Sequence, residues 1–108
     1  MKKKYRIQSS REFTSIMKYK KFYVSPSLVL YVKPRAEEHS RVGISVGKKV
    51  GGAVERNKVK RQVRMMVQEI FNFDENFDTI ILIRDIFVKE SYNTNKKHLE
   101  TLYKKVKI

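Results

Sequence analysis

The sequence predicts a single α+β domain, an α-β sandwich in which elements run α-β-β-α-β-α around a mixed sheet. Three observations predict it. Apolar residues recur at helical spacing in three separate segments, the segments between them alternate with period two or are apolar without interruption, and no low-complexity or linker stretch divides the 108 residues. A hydrophobic content of 41%, with six tyrosines and six phenylalanines, supplies one core and argues against a disordered basic tail.

Near the N-terminus, Ser9 and Glu12 have the spacing of a capping box, and Phe13, Ile16 and Met17 fall on one face. They predict a short helix over 9–18. From Phe22 to Val32, aromatic and β-branched residues alternate, with Leu28, Leu30 and Val32 facing one way and Val29 and Tyr31 the other. Pro26 interrupts this run, which is therefore either two short strands or one edge strand with a bend. A polar connection, Lys33 to Ser40, leads to a second alternating run, Arg41 to Gly47, and the two runs together have the form of an antiparallel hairpin with a long loop. In the second run one face carries Val42, Ile44 and Val46; the other carries only Gly43, Ser45 and Gly47, so another element is expected to pack closely over it.

A long helix follows over 53–71, because Val59, Val63, Met66, Val67 and Ile70 form one apolar stripe. Opposite it, Asn57, Arg61, Arg64 and Gln68 form a polar ridge with Lys60 on its flank. After an acidic loop over Asn72–Asp78, the unbroken run Ile80 to Ile83 reads as a strand covered on both faces and hence central. Strand, helix and strand then form a parallel crossover unit. Leu99, Leu102, Tyr103 and Val106 mark a last helix over 92–105, and the helices are expected mainly on one side of the sheet.

The formal net charge of +14 asks for an anionic partner, nucleic acid before an acidic membrane surface. Cysteine is absent, which excludes disulfides and thiolate metal sites, and no segment has the apolar length of a signal peptide or membrane span. A soluble, cytoplasmic protein is expected.

Charge is concentrated between Arg41 and Arg64, where eight basic residues face one acid. Lys48, Lys49, Arg56, Lys58, Lys60 and Arg61 crowd the opening of the long helix, where cations oppose the helix dipole by about 0.3–1 kcal/mol each when exposed. A bound phosphate reverses that sign, because backbone N–H groups, dipole and side chains then face one anion. Other chemistry fits poorly. Gly43 to Lys48 has three residues between its glycines where a phosphate-binding P-loop has four, and Lys49 stands where that loop has Ser or Thr. Gly47 to Gly51 is one residue too long for the GXXG clamp of a KH domain. His39 and His98 are isolated and read as solvated; Asp74, Glu75 and Asp78 read as a charged turn.

Arg41-Val-Gly-Ile-Ser-Val46, Lys48-Lys-Val-Gly51, Ala53-Val54 and Arg56-Asn-Lys-Val-Lys-Arg61 with Arg64 together resemble the bacterial ribonuclease P protein subunit. The outer segments Arg11-Glu-Phe13, Leu28 to Tyr31 and Ile80 to Arg84 match by their order. The resemblance implies a small subunit that joins a large catalytic RNA to remove the 5′ leader from precursor tRNA. Hydrolysis is then the work of the RNA with magnesium, held mainly by RNA and substrate, and the protein alone is inactive. Lys48, Lys49, Arg56, Asn57, Lys58, Lys60, Arg61 and Arg64 would meet the catalytic RNA, while Phe13, Met17, Lys18 and Tyr31 would line a cleft for the single-stranded leader. The resemblance implies neither a small-molecule ligand nor a membrane, and it implies a left-handed crossover around the long helix, against the usual rule. The sequence departs from the family's habits at Gly47 (usually Ser), Gly52 (often Asn), Met17 (an aromatic), Lys20 (Gly) and Met65 (Glu). A ribosomal or other structural RNA-binding protein would share the basic helix; the order of the motifs argues against it.

Overall fold

The computed structural model describes residues 1–107. Helix α1 spans Ser10–Lys18, strands β1 and β2 span Phe22–Val24 and Leu28–Pro34, and β3 spans Val42–Val46. Helix α2, Ala53–Ile70, leads to β4, Phe77–Ile83, and α3, Tyr92–Lys105, closes the chain. Short 3-10 turns at Lys3–Tyr5, Lys48–Val50 and Asp85–Lys89 add to the expected elements.

The alternation in the first β segment resolves into two strands. Ser25 Oγ accepts the Leu28 N–H at 3.1 Å and donates to the Leu28 carbonyl at 2.7 Å, turning the chain around exposed Pro26 so that β1 and β2 pair antiparallel. The expected hairpin between the second and third strands does not form. The sheet order is β1-β2-β4-β3, with β4 antiparallel to β2 and parallel to β3. The reason lies in the residues of β4. Ile80, Ile81 and Ile83 are almost wholly buried, and only a strand with neighbours on both sides and layers above and below can bury them. The outer edge of β3 is met by the N-terminal segment, where the Ile7 N–H donates to the Val42 carbonyl at 3.0 Å.

One sheet face carries Leu28, Leu30, Val32, Val42, Ile81 and Ile83, and these pack with Val59, Val63, Met66 and Val67 of α2 and Leu99 and Leu102 of α3. That is the main core. On the opposite face α1 crosses β2 and β4 alone, placing Ile16 against Ile7 and Ile80, with Phe13, Met17 and Tyr31 packed around them. Beyond α1 this face is open, and Phe22 and Val24 of β1 are about half exposed.

Ser9 caps α1 through the Glu12 N–H, as its spacing predicted. The Glu12 carboxylate does not return to Ser9. It takes a hydrogen bond from Arg41, whose Nη2 also lies 3.4 Å from buried Asp78, while the Arg41 backbone N–H donates to Asp78 Oδ1 at 2.9 Å. Asp78 is thus a strand residue under α1 and not part of an exposed acidic turn. The histidines likewise depart from the solvated reading. His98 Nδ1 shares a hydrogen bond with buried Ser27 at 2.8 Å, and His39 meets the Tyr5 ring edge-on.

Candidate nucleic-acid interface

The strand-to-helix junction is built to start α2 without a side-chain cap. After β3, Lys48–Val50 makes one tight turn that buries Val50 and leaves both lysines exposed. Gly51 then adopts φ 157°, ψ −174°, a region open essentially to glycine, and a Cβ there would lie 2.7 Å from Glu55 Cβ. Its role is therefore conformational. Gly52 at the N-cap offers no side chain to the first-turn amides, and Gly52, Ala53 and Val54 are exposed, so these donors face solvent among the basic residues.

Around α2 the predicted RNA-binding residues divide into four groups. Asn57 and Arg61 are exposed on the ridge opposite the stripe. Lys60 and Arg64 lie on one flank, half-buried, where they line a cavity of about 280 Å³ with Arg6, Ile7, Phe13 and Ile44. Arg64 is therefore a flank residue and not a member of the fully exposed ridge. Lys58 is exposed on the other flank and faces Glu55, Glu90 and Tyr92. Arg56 turns toward the stripe and is half-buried, with its Nε buried and unpartnered among the described residues.

The cavity joins what the sequence presented as two sites. Phe13 belongs to the predicted cleft, Lys60 and Arg64 to the predicted basic helix, and both reach one hollow beside β3. Gly43 makes this possible: a Cβ there would lie 2.7 Å from both Phe13 Cζ and Ile80 Cδ1, so the ring of α1 rests on bare strand. The close packing expected over the glycine face of β3 is this ring. Farther along α1, Met17 is half-buried and Lys18 exposed, and Tyr31 stands half-buried beyond them on β2. Tyr31 is paired across the sheet with Phe22, their ring centroids 5.5 Å apart.

Two contributors were not singled out by sequence. Arg6 enters the cavity because the N-terminal segment runs alongside β3, a long-range pairing with no periodic signal. Phe22 stands in the aromatic run from Phe22 to Val32, but its place beside Tyr31 depends on the β1–β2 register. Lys20 adds a backbone feature. It holds φ 63° just past the end of α1, a left-handed conformation that costs a residue with a Cβ about 1–2 kcal/mol.

Comparison with known proteins then places the chain. The family model for ribonuclease P matches residues 1–107. The chain belongs to the ribonuclease P protein family. It is 42% identical to the ribonuclease P protein component of Mycoplasma capricolum subsp. capricolum over 99% of this chain and 100% of that one. With the corresponding protein of Mesoplasma florum it shares 38% identity over 94% of each. Solved ribonuclease P proteins have the same fold: that of Staphylococcus aureus superposes with a TM-score of 0.81 at 30% identity, covering 93% of both chains. The protein from Thermotoga maritima gives 0.82 at 28% identity, covering 95% of this chain and 98% of that one.

Proposed function

We propose that this chain is the protein component of ribonuclease P and acts in 5′ processing of tRNA, bound to a catalytic RNA that carries out the hydrolysis. The opening of α2, with Lys48, Lys49, Asn57, Lys58 and Arg61, meets RNA phosphates. The hollow between α1, β3 and α2 receives the single-stranded 5′ leader of precursor tRNA, with Phe13 offering a ring face to its bases and Lys60 and Arg64 meeting its phosphates or those of the neighbouring RNA; outside the hollow, Met17, Lys18 and Tyr31 line its further course over the α1 side of the sheet. Arg56 supports the helix opening from its half-buried position. The observation that carries this reading is the shared cavity, in which a phenylalanine and three cations, Arg6, Lys60 and Arg64, surround one space. Stacking surface beside a cationic wall is what an unpaired polynucleotide requires.

The same cavity offers no carboxylate among its lining residues. Its donor set repels a divalent cation and does not fit magnesium, which favours oxygen ligands and phosphates. Magnesium is therefore assigned to the RNA and its substrate, and the protein contributes binding and orientation. A cytoplasmic setting accords with the absence of cysteine.

Copurification from the protein's own cells tests the partner, and cleavage assays test the division of labour. The expected outcome is recovery of a ribonuclease P RNA, with magnesium-dependent removal of the leader by the complex and none by the protein freed of RNA. Recovery of ribosomal RNA alone, or cleavage by the bare protein, refutes the reading.

A further inference from the structure

The open half of the α1 face carries a patch that the shared cavity does not include. Phe22 is 51% exposed and Val24 55% exposed, on an edge strand where large apolar side chains are ordinarily avoided. Phe22 is also fixed in place. Its backbone partner across the ladder is Tyr31, and the two rings meet at 5.5 Å with a 41° tilt. At that separation the rings already touch, so no base fits between them; the outer ring face is what remains available.

The chain beside this patch carries charge of one sign. Lys18, Lys20 and Lys21 lead into β1, and no acid occurs from Lys18 to Val32. Lys20 is the most telling of the three. It occupies a left-handed position past a helix end where glycine is the favoured residue, so a lysine there is kept against the local backbone preference. Aromatic surface, flanking cations and a strained lysine point to the same occupant, an unpaired polynucleotide with bases to stack and phosphates to neutralise.

We propose that Phe22 is a base-stacking residue which extends the leader cleft past Tyr31 to the β1 edge, with Lys20 as its phosphate contact. Phe22 thereby supplies, from a strand, an aromatic surface that Met17 does not supply from α1. This inference rests on the assignment of the cleft to the leader, and it makes Phe22 a determinant of how much leader the enzyme reads. Nucleotides close to the cleavage site reach Phe13 and Tyr31; only a longer leader reaches Phe22.

The test uses the holoenzyme reconstituted with the ribonuclease P RNA of the same cells, titrated with mature tRNA and with precursors whose leaders lengthen one nucleotide at a time. Phe22→Ala is expected to weaken binding of long-leader precursors roughly tenfold, the scale of one lost stacking contact, and to leave the shortest leaders and mature tRNA unchanged. Phe22→Tyr should restore the wild-type values. Lys20→Gly should weaken long-leader binding a few-fold while the thermal midpoint of the free protein stays level or rises, a divergence that a purely structural lysine would not produce. If wild type distinguishes precursor from mature tRNA and Phe22→Ala changes all leader lengths equally or none, the extended platform is refuted and the cleft stands. If wild type binds both ligands alike, the cleft assignment and the platform fail together. A lowered midpoint for Lys20→Gly removes the lysine from the site.

Discussion

Gly43 shows how a missing side chain positions a functional one. The Phe13 ring occupies the volume that a Cβ on β3 would take, and Ile80 closes the same space from the neighbouring strand. Gly43→Ala is expected to push the ring of α1 outward, costing about 1–3 kcal/mol as an overpacked core change and weakening precursor tRNA binding more than mature tRNA binding. Urea unfolding of the free protein and titration of the holoenzyme read the two effects separately. Arg61 and Arg64 differ in the same way, since one is exposed and the other half-buried. Arg61→Ala should leave stability within about 0.5 kcal/mol and reduce the log-log salt slope of RNA binding by about 0.7–0.9, one phosphate contact. Arg64→Ala should give a similar loss of slope together with about 1 kcal/mol of lost stability, because its stem also covers apolar surface beside Ile44. Equal stability of the two variants would contradict the division between ridge and flank.

At the level of elements, α2 was legible because a single stripe, Val59, Val63, Met66 and Val67, meets the sheet without exception. The α1 cap and the extent of α3 were legible for the same reason, local residues at local spacing. The partnership of β2 and β3 was not. Two alternating runs separated by a polar loop look like a hairpin, and only the burial demanded by Ile80 to Ile83 on both sides explains why β4 comes between them. The α2–α3 contact was equally hidden, since no period links Glu69 to residues over twenty positions later. Glu69 accepts from Tyr92 at 2.7 Å and from Lys96 at 2.5 Å, and Lys96, then Tyr92, hold its carboxyl below the ordinary range. Tyr92 is in turn pushed up to about 12 by burial and by the Glu69 carboxylate. The folded protein therefore keeps a proton that the unfolded chain releases from about 10.0 upward. Its contribution to stability is complete below that pH and is lost as pH rises toward about 12. Wild type should lose more stability than Tyr92→Phe across this window in urea titrations at stepped pH, and parallel losses would dismiss the linkage.

Across the whole molecule, the sheet separates a broad core under α2 and α3 from a small one under α1, and the candidate cleft lies on the small side. The small cluster has three buried apolar residues, Ile7, Ile16 and Ile80, so α1 needs a second attachment. Arg41 provides it. Burial alone would draw the guanidinium down, but Glu12 on α1 and Asp78 on β4 overcome that and hold it above its ordinary value. Without Arg41 the buried Asp78 loses its cation, while Glu12, more than a third exposed, is left to solvent. Here the weaker core should yield first. Arg41→Met is therefore expected to speed amide hydrogen exchange in α1, Phe13 to Lys18, before the amides of α2 and β4 change, and to lower the holoenzyme's preference for precursor over mature tRNA in the same variant. Uniform acceleration through both cores would instead mean that the molecule opens as one unit and that Arg41 contributes to global stability without setting the position of the cleft wall.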